Sequence, residues 1–194
     1  MIDERIDDGL IIIDKSRKSP NFGSRGGIVP DMIVLHTSEG YYESGIDWLC
    51  SPKAQASTHF FVGKKGQCAK LVDIKNAAWG NATTFKLASD KRYYKKSKKK
   101  LINTRPMSAN RYTVSIEFEG FYKDGGKLTK EQHKTAVSLL LHIRKRVKKL
   151  YDYEIPMDNE HVLSHSQVVP LWKPYCGKNI DVDKLLLDVN KKLN

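Results

Sequence analysis

The chain has 194 residues, 40% of them hydrophobic, which suits one globular core. Its net charge is +12 and its pI is near 9.5, so its surface attracts polyanions such as nucleic acid, anionic lipid or phosphate-bearing wall polymers. Three cysteines without a Cys-x-x-Cys pair argue against a disulfide framework or a zinc ribbon, and no apolar run is long enough to span a membrane.

The first residues, Met1 to Asp8, are acidic where a secretion signal is basic, and Leu10 to Ile13 is too short for its apolar core. The expectation is synthesis in the cytoplasm without a signal peptide. Residues 1–18 read as an N-terminal extension of a single domain covering 1–194, and residues 14–30, rich in Ser, Pro, Gly and basic side chains, as an extended segment and loop. Met32 to His36 is a short apolar run, predicted as a buried strand. Ser44 to Cys50 predicts a short helix halted by Ser51-Pro52. His59 to Val62 is rich in strand formers and leads into Gly63-Lys64-Lys65-Gly66, a hairpin-like turn, after which Cys68 to Val72 returns as a strand.

Residues 80–110 are polar, lysine-rich and without clear period, and read as a long surface loop. Thr113 to Gly120 alternates, with Val114, Ile116 and Phe118 on one face and Ser115, Glu117 and Glu119 on the other. Thr129 to Tyr151 is the clearest helix: Ala136, Leu140, Ile143, Val147 and Leu150 recur at steps of three and four, and Thr129 with Gln132 forms a capping-box pattern. Asp181 to Leu193 predicts a second amphipathic helix with Leu185, Leu186 and Val189 to bury. The sum is an α/β fold, a sheet with helices packed on it.

Much of the positive charge lies in Lys91 to Lys100 and in Arg144 to Lys149. Tyr93 and Tyr94 offer stacking surfaces beside the first cluster, but no nucleic-acid-binding signature accompanies them. No nucleic-acid partner is expected. Cys50 and Cys68 read as buried free thiols, with a Cys50–Cys68 disulfide as the alternative.

Three separated residues carry metal chemistry. His36 ends the apolar run, His165 lies in Val162 to Val168, and Cys176 follows in Trp172 to Gly177. Two imidazoles and a thiolate without a fourth protein ligand describe an open zinc site, the kind that keeps a position for water. His165 and Cys176 are expected on a loop before the last helix. His133, His142 and His161 have no spacing that indicates a shared ligand role.

The words around these residues resemble the zinc-dependent N-acetylmuramoyl-L-alanine amidases, the superfamily that includes phage endolysins and peptidoglycan recognition proteins. Five blocks carry the resemblance in the family's order, from about residue 19 to 187. They are Ser19 to Ile28 with Met32 to Ser38, Ile46 to Lys53 with Ala56 to Val62, Gly66 to Trp79, Ser115 to Gly120, and His165 to Val168 with Cys176 and Gly177. The resemblance implies a mixed central β-sheet flanked by α-helices, with one Zn2+ in a surface groove. It also implies hydrolysis of the amide between N-acetylmuramic acid and L-alanine in peptidoglycan. His36, His165 and Cys176 carry over as zinc ligands. Glu117 carries over as the acid/base, because a water attacking an amide must lose a proton and the leaving amine must gain one.

Three departures from the family pattern matter. Thr58 stands where some relatives have an assisting tyrosine. Pro174 holds the position of a lysine that would stabilise the tetrahedral oxyanion, and Lys173, one residue back, is the candidate in its place. Trp79 is followed by Gly80-Asn81 where many relatives have histidine. Trp79, Asn81 and Thr58 are expected to contact substrate; His59 reads either as a hydrogen-bond donor to a ligand or to the acid, or as a hydrogen-bonded core histidine.

The implied role is bacterial wall lysis by an endolysin or autolysin, with the basic surface adhering to anionic wall polymers. The catalytic domain is expected to act on the wall after release, with no separate wall-binding domain. The alternatives are a non-catalytic peptidoglycan-binding module of the same fold, against which Cys176 argues, and a cytoplasmic muropeptide-recycling amidase.

Overall fold

In the computed structural model, residues 4–6, 11–81, 83 and 97–194 are described. The strands are β1 (Glu4–Ile6), β2 (Ile11–Asp14), β3 (Phe22–Ser24), β4 (Met32–Thr37), β5 (Phe60–Val62), β6 (Cys68–Lys70), β7 (Asn76–Ala78), β8 (Thr113–Phe118) and β9 (Val162–Ser164). The helices are α1 (Tyr42–Cys50), α2 (Lys100–Asn103), α3 (Lys130–Tyr151), α4 (His165–Val168) and α5 (Val182–Leu193). The main sheet runs β1-β2-β6-β5-β8-β4-β9, and β3 pairs with β7 in a separate ribbon. Strand β4 is parallel to both β8 and β9, β5 is parallel to β8, and β1–β2 and β5–β6 are antiparallel, so the sheet is mixed.

The central strands are apolar because both faces of the sheet are covered. Ile33 and Leu35 of β4, with Val114, Ile116 and Phe118 of β8, pack against Ala136, Leu140, Ile143 and Val147 of α3 and Leu185 and Val189 of α5. On the opposite face, Met32 and Val34 pack with Ile102, Tyr112, Leu163 and Val168, while Phe61 packs with Ile46 of α1. Each fully buried Leu, Ile or Phe side chain contributes roughly 1.5–3 kcal/mol relative to exposure.

Helix α3 starts at the expected cap. Thr129 Oγ1 accepts from Gln132 N at 3.1 Å, and Gln132 Oε1 accepts from Thr129 N at 3.0 Å. These two bonds satisfy amides that the first turn would otherwise leave open. The hairpin after β5 closes through Gly63 N donating to Gln67 O at 2.8 Å.

Several local expectations change. Ile11 to Ile13, within the stretch read as an N-terminal extension, forms strand β2 of the main sheet, with Ile13 buried. The stretch expected to be surface loop contains helix α2 and buried Asn81, Ile102 and Ala109. Its lysine-rich part, 91–96, lies outside the described residues. Cys50 and Cys68 are free thiols. Among the described residues, no helix is long and apolar enough to cross a membrane.

Candidate active site

Side-chain alternation builds half of the site. On β4, Ile33 and Leu35 face α3, so Met32, Val34 and His36 face the other way. On β8, Val114, Ile116 and Phe118 face α3, so Ser115 and Glu117 face the same side as His36. The parallel register pairs His36 directly with Glu117. His36 Nδ1 lies 3.9 Å from Glu117 Oε2. Both residues come at the C-terminal ends of parallel strands, where open α/β sheets place their ligand crevices.

The two carboxylates read on one face of β8 part company. The strand ends at Phe118, and Glu119 Oε2 accepts from the backbone N of Lys64 at 2.7 Å. Glu119 therefore ties down the hairpin, and Glu117 alone faces His36.

The other half of the site comes from residues 164–177. His165 is not on a loop, as expected, but opens α4 directly after β9. Ser166 N donates to Cys176 O at 2.9 Å, so the cysteine is fastened to the turn that carries the second histidine. Trp172 N and Lys173 N both donate to Val169 O, at 3.1 and 2.9 Å. Gly177 follows in a left-handed conformation, φ 69°, where a Cβ would sit 2.4 Å from the carbonyl oxygen of Leu35. Only glycine lets this loop approach β4 so closely.

The candidate ligand atoms of His36, His165 and Cys176 lie within 4.8 Å of one another. Zn–S and Zn–N bonds of ordinary length at a tetrahedral angle hold sulfur and nitrogen about 3.6 Å apart. Cys176 Sγ lies 3.6 Å from His36 Nδ1. The two imidazole rings are 4.3 Å apart between centroids, and both ring nitrogens of His165 are buried without a hydrogen-bond partner. Buried polar atoms without partners are costly and rare. Two neutral imidazoles and a thiol converging in this way fit a zinc ion.

Burial governs the electrostatics. It pushes the His36 pKa down to about 4, with the Lys173 charge acting in the same direction. His165 is held well below its ordinary value by burial, then by His36 and Lys173. Burial pushes the Cys176 thiol up to about 12, with the Glu117 charge adding to the effect. Burial also raises Glu117 to about 8, against Lys173 and with help from Glu39.

The site opens into a groove of about 1120 Å³ whose walls include Ser57, Trp79, Tyr122, Trp172, Lys173 and Tyr175. Trp79 is 41% exposed, a free aromatic face at the rim. Lys173 lines the groove, packs its Nζ over the Trp172 ring, and acts by charge on all four site residues. The one-residue offset from the family position thus leaves a lysine in electrostatic reach.

Three expectations need correction. Thr58 and Asn81 are each 1% exposed and do not face the groove. Thr58 Oγ1 donates to Ser115 O at 2.9 Å, bracing β5 against β8. Asn81 Nδ2 donates to Thr113 Oγ1 at 2.9 Å and Asn81 N donates to Asn110 Oδ1. His59 touches neither a candidate ligand nor Glu117. Its Nδ1 accepts from Ser115 N at 3.0 Å, and its Nε2 lies 3.0 Å from both Asn76 O and the Arg25 guanidinium. Burial, then the charge of Arg25, pushes its pKa down to about 3.

Two features were missed from sequence. Buried Arg25 donates to the carbonyls of Ile74, Arg111 and Thr113, tying the segment before β4 to the start of β8. Glu39, at φ 52° just past β4, accepts from Tyr122 N at 2.8 Å, and the Tyr122 ring stacks on Tyr175 at 4.6 Å. That stack steadies the residue before Cys176. The nearest sequence signal is the Gly-rich stretch beside Arg25; the Glu39 and Tyr122 contacts join segments whose pairing only the fold reveals.

Comparison with known proteins follows the same lines. No curated protein is similar enough in sequence to match. Among solved structures, a selenomethionine derivative of AmpD superposes with TM-score 0.63 at 16% identity, covering 96% of this chain and 99% of that one. The N-acetylmuramoyl-L-alanine amidase LysC from Clostridium intestinale gives 0.59 at 14% identity, covering 92% and 97%. Staphylococcus aureus hydrolase AmiA, in complex with its ligand, gives 0.53 at 15% identity, covering 93% and 82%. At these identities the likeness is one of fold. The family model described as N-acetylmuramoyl-L-alanine amidase matches residues 26–179, a span holding every candidate site residue, and the chain belongs to that family.

Proposed function

We propose that the chain hydrolyses the amide between N-acetylmuramic acid and L-alanine in peptidoglycan, with one zinc ion held by His36, His165 and Cys176. The observation that carries this reading is the convergence of those three side chains beside Glu117 at the floor of an open groove. Zinc in such a site supplies a Lewis acid that polarises a carbonyl and makes water a nucleophile near neutral pH.

The chain's own residues do the rest. Glu117 takes the proton from the attacking water and passes it to the departing alanine amine. Its burial raises its pKa, which suits the donor half of this task, while a divalent charge in the same site favours the carboxylate needed for the acceptor half. The Lys173 ammonium offsets negative charge developing on the former carbonyl oxygen. Trp79 and Trp172, on the groove wall, offer apolar faces to the glycan or the stem peptide. Anionic wall polymers are the partner for the charge excess of +12.

Mass spectrometry of digested wall tests the reading. The products are peptides with a free L-alanine amine and no new reducing sugar ends. New reducing ends would make the protein a glycosidase, and cleavage between two amino acids a peptidase.

A further inference from the structure

Asn81 is fully buried, yet one of its atoms has no partner. Its Nδ2 donates to Thr113 Oγ1 at 2.9 Å, and that hydroxyl in turn donates to Ala109 O at 2.7 Å. The hydroxyl's proton is committed to Ala109, so it accepts from Asn81, and the atom facing it must be the NH2 group. The orientation of the carboxamide is thereby fixed, and the backbone N of Asn81 is held by Asn110 Oδ1 at 2.6 Å. What remains is Oδ1, an acceptor buried without a donor.

His36 presents the complement. Its Nδ1 faces Cys176 Sγ at 3.6 Å and Glu117 at 3.9 Å. Its Nε2 is buried and also without a partner. The two orphaned atoms stop short of a closed hydrogen bond, but Gly80 and Asn110, the chain neighbour and the anchor of Asn81, line the same groove as His36, and the Asn81 carboxamide reaches toward that imidazole. An acceptor and a ring N–H that both lack partners in one buried place satisfy each other by a small adjustment, and leaving both open is costly.

We propose that Asn81 is a positioning residue for the metal centre: its Oδ1 accepts from His36 Nε2–H, selects that tautomer and leaves the Nδ1 lone pair pointing at Cys176 and Glu117. Ligating histidines commonly give their second N–H to such an acceptor, and losing it costs about 10- to 100-fold in metal affinity. The same arrangement lets the Cys176 thiol donate to Nδ1. The anchor behind it is the Asn110–Asn81–Thr113 network, so β8 supports His36 from below as well as from its side. The inference rests on the zinc reading for its consequence, but the tautomer can be observed without metal.

Nitrogen-15 NMR of the imidazoles in metal-stripped wild-type protein should find His36 protonated on Nε2 and bare on Nδ1. Competition against a chromogenic chelator should then find zinc affinity about 10- to 100-fold weaker in Asn81→Leu, with Asn81→Asp, which keeps an acceptor, recovering most of the loss. A His36 proton on Nδ1 in the wild type would overturn the proposal, as would Asn81→Leu binding zinc as tightly as wild type. If wild type itself takes up no zinc, the metal reading fails and the tautomer still decides the role of Asn81. The wild-type tautomer also decides it should Asn81→Leu not fold.

Discussion

The two halves of the site are held by different means. His36 and Glu117 sit at the ends of β4 and β8, neighbouring strands in continuous parallel register, and their geometry follows from the pleat. His165 opens the short helix α4 directly after β9, and Lys173 and Cys176 follow it on a compact run of turns, fastened by Ser166 N to Cys176 O and by the close approach at Gly177. Regular structure sets position through many shared hydrogen bonds, so single changes in it tend to be absorbed. An irregular segment depends on a few contacts, and each carries more of the geometry. The proposed proton-transfer group, Glu117, belongs to the stiff half, while the proposed third ligand, Cys176, and the proposed oxyanion lysine, Lys173, belong to the fastened one.

The predictions test that contrast. Cys176→Ser should remove zinc and lower turnover by about 10³-fold or more, the equivalent of several kcal/mol of lost Lewis-acid stabilisation; metal analysis and wall-digestion rates check it. Glu117→Gln should lower turnover by about 10²- to 10⁴-fold while zinc content stays at wild-type level. If Glu117→Gln also lost its zinc, the separation of roles between the two halves would break.

Leu140→Ala, in α3 behind the sheet, should cost about 2–5 kcal/mol of folding stability. Zinc affinity of the folded fraction should change little, as read by denaturant unfolding and chelator competition. Gly177→Ala is the counterpart in the fastened half. Its stability loss should be smaller, about 1–3 kcal/mol, but its zinc affinity should fall, because the new methyl group displaces the loop from Leu35 O. Equal effects of Gly177→Ala and Leu140→Ala on metal binding would remove the contrast.

The smallest effect concerns protons. The Cys176 thiol, raised to about 12, is protonated at neutral pH, and His36, lowered to about 4, is already neutral. Zinc therefore displaces one proton from the thiol and up to one more from Glu117, whose carboxyl is raised to about 8, so its apparent affinity should rise about ten- to a hundredfold per pH unit through the neutral range. Calorimetry in buffers of different ionisation enthalpy counts the released protons.

Periodicity made the regular half of the fold readable. Helix α3, its Thr129–Gln132 cap and the alternation of β8 follow from local spacing, and that alternation correctly sets Glu117 opposite the α3 face. The ligand triad was suggestive from residue types and acquired its context from the resemblance to the amidase family. What local reading missed depends on contacts between distant segments. Asn81 stands in a polar stretch and read as a groove residue, yet Asn110 and Thr113 draw it inside. His59 read as a partner of the site, yet Ser115 and Asn76 take up its ring. Strand β1 is too short to show a period at all.

The central claim is that both halves together hold a zinc ion on which wall hydrolysis depends. The direct measurement is digestion of purified wall by protein stripped of metal and then reloaded, with zinc counted in each sample. The account predicts about one zinc per chain, no release of alanine amines by the stripped protein, and recovery with zinc. Full amine release by protein shown to contain no metal would contradict it.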